Sequence, residues 1–170
     1  MPRYILNCFL TIGSLLLCAL LLPSRLPGTV LLGLGPHWLL IWVVAWGIKR
    51  QPWQGAIAGL AAGLIQDGMV LSSPSHVFSL AIIGFLTGRI DKDKYIQEDF
   101  ISIALIVFAM AVLAETLTAI QYTILDFSRL IPIWTQHQQI AIVSALLSSL
   151  WAPVIYYPLN YCWHYLETEE

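Results

Sequence analysis

The sequence predicts an all-α polytopic membrane protein with six transmembrane helices, and three observations carry that prediction. Of its 170 residues, 58% are hydrophobic and only 11% are charged, less than half the roughly 25% charged residues of a soluble domain. The mean hydropathy is +0.76. Apolar stretches recur along the chain at lengths near the roughly 20 residues that cross a hydrocarbon core. The same arithmetic excludes a soluble enzyme, and it excludes a disordered chain, which needs low hydrophobicity and high charge. A net charge of −2, with eight Lys and Arg spread thinly, leaves nucleic-acid binding without an electrostatic basis.

The first span covers residues 4–22 and is ended by Pro23 and Pro27. Arg3 ahead of an apolar run invites a signal-peptide reading, but the run exceeds an h-region of about 7–15 residues. Pro23, Ser24 and Arg25 follow it instead of a small-x-small cleavage site, so the segment reads as a retained helix. The second span lies within 29–48. Gly33, Gly35 and Pro36 put the start of its continuous helix near Pro36, a favourable first-turn position. About 13 residues remain, roughly 20 Å of helix. Residues 29–35 then read as an irregular or re-entrant stretch, tolerated at membrane depth only when buried in protein.

The third span is 53–71, with 72–75 as its turn, and the fourth is 74–88. The fifth is 100–125, and the sixth is 138–161 with Pro153 and Pro158 expected to bend it. Together they make one integral membrane domain over 1–170, with no room for an extramembrane catalytic domain. Residues 89–99 (RIDKDKYIQED) read as a solvated cytoplasmic loop. Six spans place both termini on one side. With that side cytoplasmic, the inner segments hold Arg3, Lys49, Arg50, Arg89, Lys92 and Lys94, and the outer ones only Arg25 and Arg129, in agreement with the positive-inside rule.

Cys8, Cys18 and Cys162 are odd in number and lie in apolar stretches, which reads as small buried hydrophobes in helices and not as a disulfide framework. Gly55, Gly59 and Gly63 recur every four residues on span three, with Ala58 and Ala62 beside them, and Gly84 and Gly88 repeat the device on span four. Small residues at that spacing let helix backbones approach closely. They serve intramolecular packing or, alternatively, docking of another membrane protein. Trp38, Trp42 and Trp46 make one aromatic stripe on span two, read as packing or lipid contact, with a stacked platform for a partner as the alternative. Trp151, Tyr156, Tyr157, Tyr161, Trp163 and Tyr165 crowd the last span, where residues from Tyr161 onward fit an interfacial anchor.

Two carboxylates, Asp67 and Glu115, fall inside spans, where a charge costs roughly 2.5–3.5 kcal/mol at a helix centre. Both lie about 14–15 residues from the cytoplasmic start of their helix, or roughly 21–22 Å along it. His37 and His76 come near the same outer level, with Gln66 and Gln121 adding amides. This intramembrane polar cluster reads as interhelical hydrogen bonding, with a ligand pocket, proton relay or metal site as alternatives. No His-x-x-x-His pair supports a metal, and no nucleophilic or phosphate-binding spacing supports catalysis, so no catalytic residue, metal ligand or cofactor is assigned.

Residues 36–90 resemble the rod shape-determining protein MreD family. The carriers are Pro36-His37-Trp38-Leu39, the basic turn Lys49-Arg50-x-Pro52, Gly55, Gly59, Gly63 and Asp67 on span three, Ser73-Pro74, and the Gly84/Gly88 helix. His37 stands where family members often have an acidic residue, and Ser75-His76 follows Pro74 where a glycine is usual. The resemblance implies a non-enzymatic component of the cell-wall elongation complex in the bacterial plasma (inner) membrane. Such a protein would help maintain rod shape by positioning membrane partners for peptidoglycan synthesis. Those partners would be a bitopic MreC-type protein, a RodA-type polymerase with its transpeptidase and, indirectly, the MreB filament. The family is also similar in fold to substrate-binding subunits of energy-coupling-factor transporters. A vitamin or small-solute transporter subunit is therefore the alternative, although span one holds only Ala19 where such subunits carry an Ala-x-x-x-Ala pair.

Overall fold

Hydrocarbon offers no partner for backbone N–H and C=O groups, so a chain this apolar must satisfy them within helices. The computed structural model describes residues 3–24, 33–70, 75–90 and 99–167, and these hold six α-helices: α1 Arg3–Leu21, α2 Trp38–Gly47, α3 Pro52–Val70, α4 Val77–Gly88, α5 Phe100–Leu125 and α6 Leu130–Glu167. A 3₁₀ turn, Phe127–Arg129, joins the last two. The Ser73-Pro74 turn and residues 91–98 of the charged loop, with Lys92 and Lys94, lie outside the described residues, as does Arg25.

Helix α6 departs from the expected 138–161 at both ends. Asp126 starts it early, because its carboxylate accepts the Ser128 N–H at 3.2 Å and turns the chain straight into the next helix. The polar stretch Thr135–Gln139 then continues the helix, since glutamines are good helix formers even where they lower hydropathy. Pro153 and Pro158 both lie inside α6. Helix α4 begins at Val77 and spans 12 residues, and α2 has only 10, about 18 and 15 Å respectively.

Among the described residues, α5 and α6 alone are long and apolar enough to cross a membrane by length and composition; α1, α2 and α4 are shorter apolar helices. Helix α3 has 19 residues, but its glycines, Gln54, Gln66 and Asp67 dilute its hydropathy. Of the six spans expected from the sequence, α5 and α6 have the length and hydropathy of a full crossing among the described residues.

Short α2 is the hub. It is apolar on every side, and a helix with no polar face belongs inside a bundle. All of its residues except Trp46 are buried, and it touches α1, α3, α4, α5 and α6. The chain reaches it through non-helical residues 33–37, where Gly33 adopts φ +82°, a left-handed conformation that glycine tolerates. Pro36 is buried there, and the His37 N–H donates to Ser148 Oγ of α6 at 2.9 Å. The irregular stretch is therefore enclosed by protein only at its end, at Pro36 and His37, whereas Gly33 and Gly35 are exposed.

The cysteines correct the expectation of three buried side chains. Cys18 is buried, but Cys8 and Cys162 are exposed, and all three are free thiols. An apolar neighbourhood marks a core only when the surroundings are water. Here the outer surface is equally apolar, with Phe9 76% exposed on α1 and Ile101 77% exposed on α5.

Candidate functional site

The glycines of α3 and α4 form a seam. A Cβ on Gly55 would overlap the Gly84 carbonyl oxygen, and one on Gly84 would overlap that of Gly55. On Gly59 it would strike the Leu80 carbonyl, on Gly63 the Val77 Cα, and on Gly88 the Pro52 Cα. The four-residue spacing puts these positions on one stripe, and the absence of side chains lets the two backbones touch. The stripe is occupied by the chain's own α4.

Two residues of the tryptophan stripe are likewise turned inward, while Trp46 is only partly buried. Trp38 is 4% exposed and Trp42 2%. Trp38 meets Trp151 edge to face at 5.7 Å, and Trp42 stacks on Trp46 at 6.1 Å with planes 12° apart. Trp42 also donates its indole N–H to Ser14 Oγ at 2.9 Å, which pins α1 to α2.

The four polar residues read as one cluster sort into two groups. In the first, the Asp67 carboxylate, late in α3, accepts three hydrogen bonds from the residues just ahead of α4. Ser75 Oγ–H donates to Oδ2 at 2.6 Å, and the His76 backbone N–H and ring Nδ1 both lie 2.9 Å from Oδ1. Asp67 thereby closes the α3–α4 hairpin at the end opposite the basic turn. A carboxylate at a helix start is also favoured by the helix dipole.

In the second group, Glu115 of α5 is the centre. His37 Nε2 lies 2.6 Å from Glu115 Oε1, and His137 Nδ1 of α6 approaches Oε2 at 3.5 Å. That second contact is an ion-pair distance outside hydrogen-bond geometry, so His137 Nδ1 remains a buried atom without a hydrogen-bond partner. Tyr122 backs the His137 ring at 5.2 Å. Together, these contacts tie the entrance of α2 to α5 and α6. A pocket of about 340 Å³ opens beside them between α5 and α6, lined by Glu115, Thr116, Trp134, His137 and Gln138.

Between the groups, Ser79 of α4 lies 3.3 Å from Thr118 Oγ1 of α5 and accepts from Gln121 Nε2 at 3.3 Å. Gln66 is buried in α3. His137 is the residue that sequence reasoning missed. It sits one position before the expected start of the last span, in a polar stretch set aside by hydropathy, and the helical continuity of Thr135–Gln139 was the signal that would have included it. Asp67 and Glu115 both fall about 15 residues into their helices, roughly 22 Å along each. No group of three or more His, Cys, Asp or Glu side chains with metal-binding geometry occurs among the described residues. What the arrangement does chemically is crosslink five helices, α3 to α4 and α2 to α5 and α6, through carboxylates held by histidine and hydroxyl groups.

Comparison with known proteins adds a single result. No curated protein and no solved structure matches the chain. The family model described as rod shape-determining protein MreD matches residues 3–160, so it takes in every helix except the last turns of α6. Its match includes the glycine seam, the buried α2 and both carboxylate groups. The chain belongs to the rod shape-determining protein MreD family.

Proposed function

We propose that the chain is a non-enzymatic scaffold of the bacterial cell-wall elongation complex, positioning partner membrane proteins for peptidoglycan synthesis. The observation that carries this reading is the family match over residues 3–160, which implies a role in rod-shape determination. In this reading all six helices sit in the plasma membrane, short α2 and α4 being sheltered by longer neighbours. Both termini face the cytoplasm, as the basic residues argue. Helices α3 and α4 present the docking surface to a bitopic MreC-type protein. Because their glycines face each other, the partner's helix meets the opposite side, where Leu60, Leu64, Phe78, Ile82 and Phe85 are exposed. Phe78, Ile82 and Phe85 follow i, i+4, i+7 and make one ridge. A RodA-type polymerase with its transpeptidase joins the same assembly, and the MreB filament is reached through the MreC-type protein.

The test is affinity purification of the tagged protein from its native membrane in mild detergent, with partners identified by mass spectrometry. Recovery of the MreC-type protein and wall synthases is expected. The double variant Ile82→Ala/Phe85→Ala should lower that recovery without shifting the melting temperature. Recovery of an ATPase module with a bound vitamin, and no wall protein, would overturn the scaffold.

A further inference from the structure

Two adjoining cavities lie where α1, α2 and α3 meet. The larger, about 380 Å³, has almost wholly apolar walls that include Leu15 of α1, Trp42 and Trp46 of α2, and Ile57, Ala58 and Ala61 of α3. The smaller, about 300 Å³, extends the space along α1 past Asn7, Cys8 and Ile12. Thr11, Trp46 and Arg50 border both. The floor is the stacked pair of indoles, and the Arg50 guanidinium stands 5.4 Å from the centre of the Trp46 ring. Trp46 Nε1 is a buried donor with no hydrogen-bond partner among the described residues.

This space has a direction. Arg50, Trp53, Gln54 and Asn7 mark one end, next to the basic turn that begins at Lys49. From Trp53 to Ala61 the α3 wall runs about 12 Å and ends among apolar side chains. Its outer rim, with Ile57 and Ile12 more than half exposed, opens sideways. A cation and an unsatisfied indole N–H at one end of an apolar trough match an amphiphile with an anionic head.

We infer that this groove binds one anionic phospholipid of the leaflet on the Arg50 side, its phosphate at Arg50 and Trp46 Nε1 and one acyl chain over the indoles between α1 and α3. The inference rests on the membrane placement proposed above but not on the scaffold role, so partner recovery and lipid retention can fail separately. Lipid at this position fills the wedge that α1 leaves against α3 and completes the packing around α2.

The test is native mass spectrometry of the full chain, delipidated and titrated with phosphatidylglycerol and phosphatidylcholine of identical acyl chains. The wild type should retain one phosphatidylglycerol at a concentration at least about fivefold lower than it needs for phosphatidylcholine, the discrimination expected of one well-placed cation near a membrane surface. Arg50→Gln should abolish that preference, whereas Lys49→Gln at the neighbouring position should keep it. Ala61→Phe, which plugs the apolar end, should weaken retention of both lipids. Equal retention of the two lipids by the wild type would overturn the proposal, as would equal damage from Arg50→Gln and Lys49→Gln or displacement by inorganic phosphate alone. Should a variant fail to fold, the wild type in vesicles decides: bromine-labelled phosphatidylglycerol must quench tryptophan fluorescence more strongly than bromine-labelled phosphatidylcholine does.

Discussion

Asp67 is an acceptor for three donors, and that defines what its substitutions do. Asparagine keeps an acceptor oxygen for the His76 N–H and offers an amide that Ser75 Oγ can accept. Asp67→Asn is therefore expected to cost about 1 kcal/mol or less, and Asp67→Leu, which leaves those donors unanswered, about 2–3 kcal/mol. Thermal unfolding in detergent measures both. Equal, severe loss of cell-shape function from the two variants, with the fold intact, would show instead that the charge itself is needed. Glycines give a second contrast. A Cβ at Gly59 meets the Leu80 backbone, whereas one at Gly68 meets nothing within 4 Å. Gly59→Ala should destabilise by about 2 kcal/mol or more through overpacking. Gly68→Ala should be neutral or stabilising by up to about 1 kcal/mol, the helix-propensity gain. The seam glycines were legible from their spacing. Their partner was not, because a period of four names a stripe without naming what covers it.

Helix α2 shows how an element takes its role from its surroundings. Ten residues cannot bridge a bilayer of about 30 Å, yet this helix contacts the five others and holds the deepest side chains. In lipid, helices gain little from hiding apolar surface, so stability comes from close packing and a few polar contacts. A cavity in α2 is therefore expensive, and a truncation on a lipid-facing stripe is not. Ile41 is 0% exposed and Ile57 55% exposed. Ile41→Ala should cost about 2 kcal/mol or more and Ile57→Ala within about 0.5 kcal/mol, read as the difference in unfolding midpoints. Gly33, Gly35 and Pro36 already marked the late start of this helix. The early start of α6 was hidden, because hydropathy discounts Thr135–Gln139 while the backbone keeps its helix through them, and His137 was hidden with it.

For the molecule as a whole, the proposed orientation rests on six basic residues expected on one side against two on the other. An alkaline phosphatase fused after Asp126 is expected to be active, and one fused after Arg89 or at the C-terminus inactive; a C-terminal green fluorescent protein should fluoresce. Activity of the fusion after Arg89 would invert the topology and place the Arg50 groove in the opposite leaflet. The two carboxylate groups complete the architecture. Asp67 closes the α3–α4 hairpin between neighbours in sequence, and buried Glu115 joins the α2 entrance to α5 and α6, elements distant in sequence. Polar residues within an apolar bundle have few partners to choose from, which makes such contacts specific.

Composition and the length of the apolar runs were enough to read an all-helical chain suited to lipid, since an 11% charged sequence cannot coat itself for water and runs near 20 residues suit helices, not barrel strands. The positions of Asp67, Glu115, His37 and His76 were equally plain, because a titratable group in an apolar run stands out. Which of them meet, and which faces turn inward, depended on the packed chain. In water the polar face of a helix marks its outside. In lipid Phe9 and Ile101 are as apolar outside as Leu40 and Val43 are within, so periodicity carries almost no signal for burial. Pairing is then decided by shape: by the glycine seam that seats α4 on α3, and by a helix too short to span that fits only at the centre.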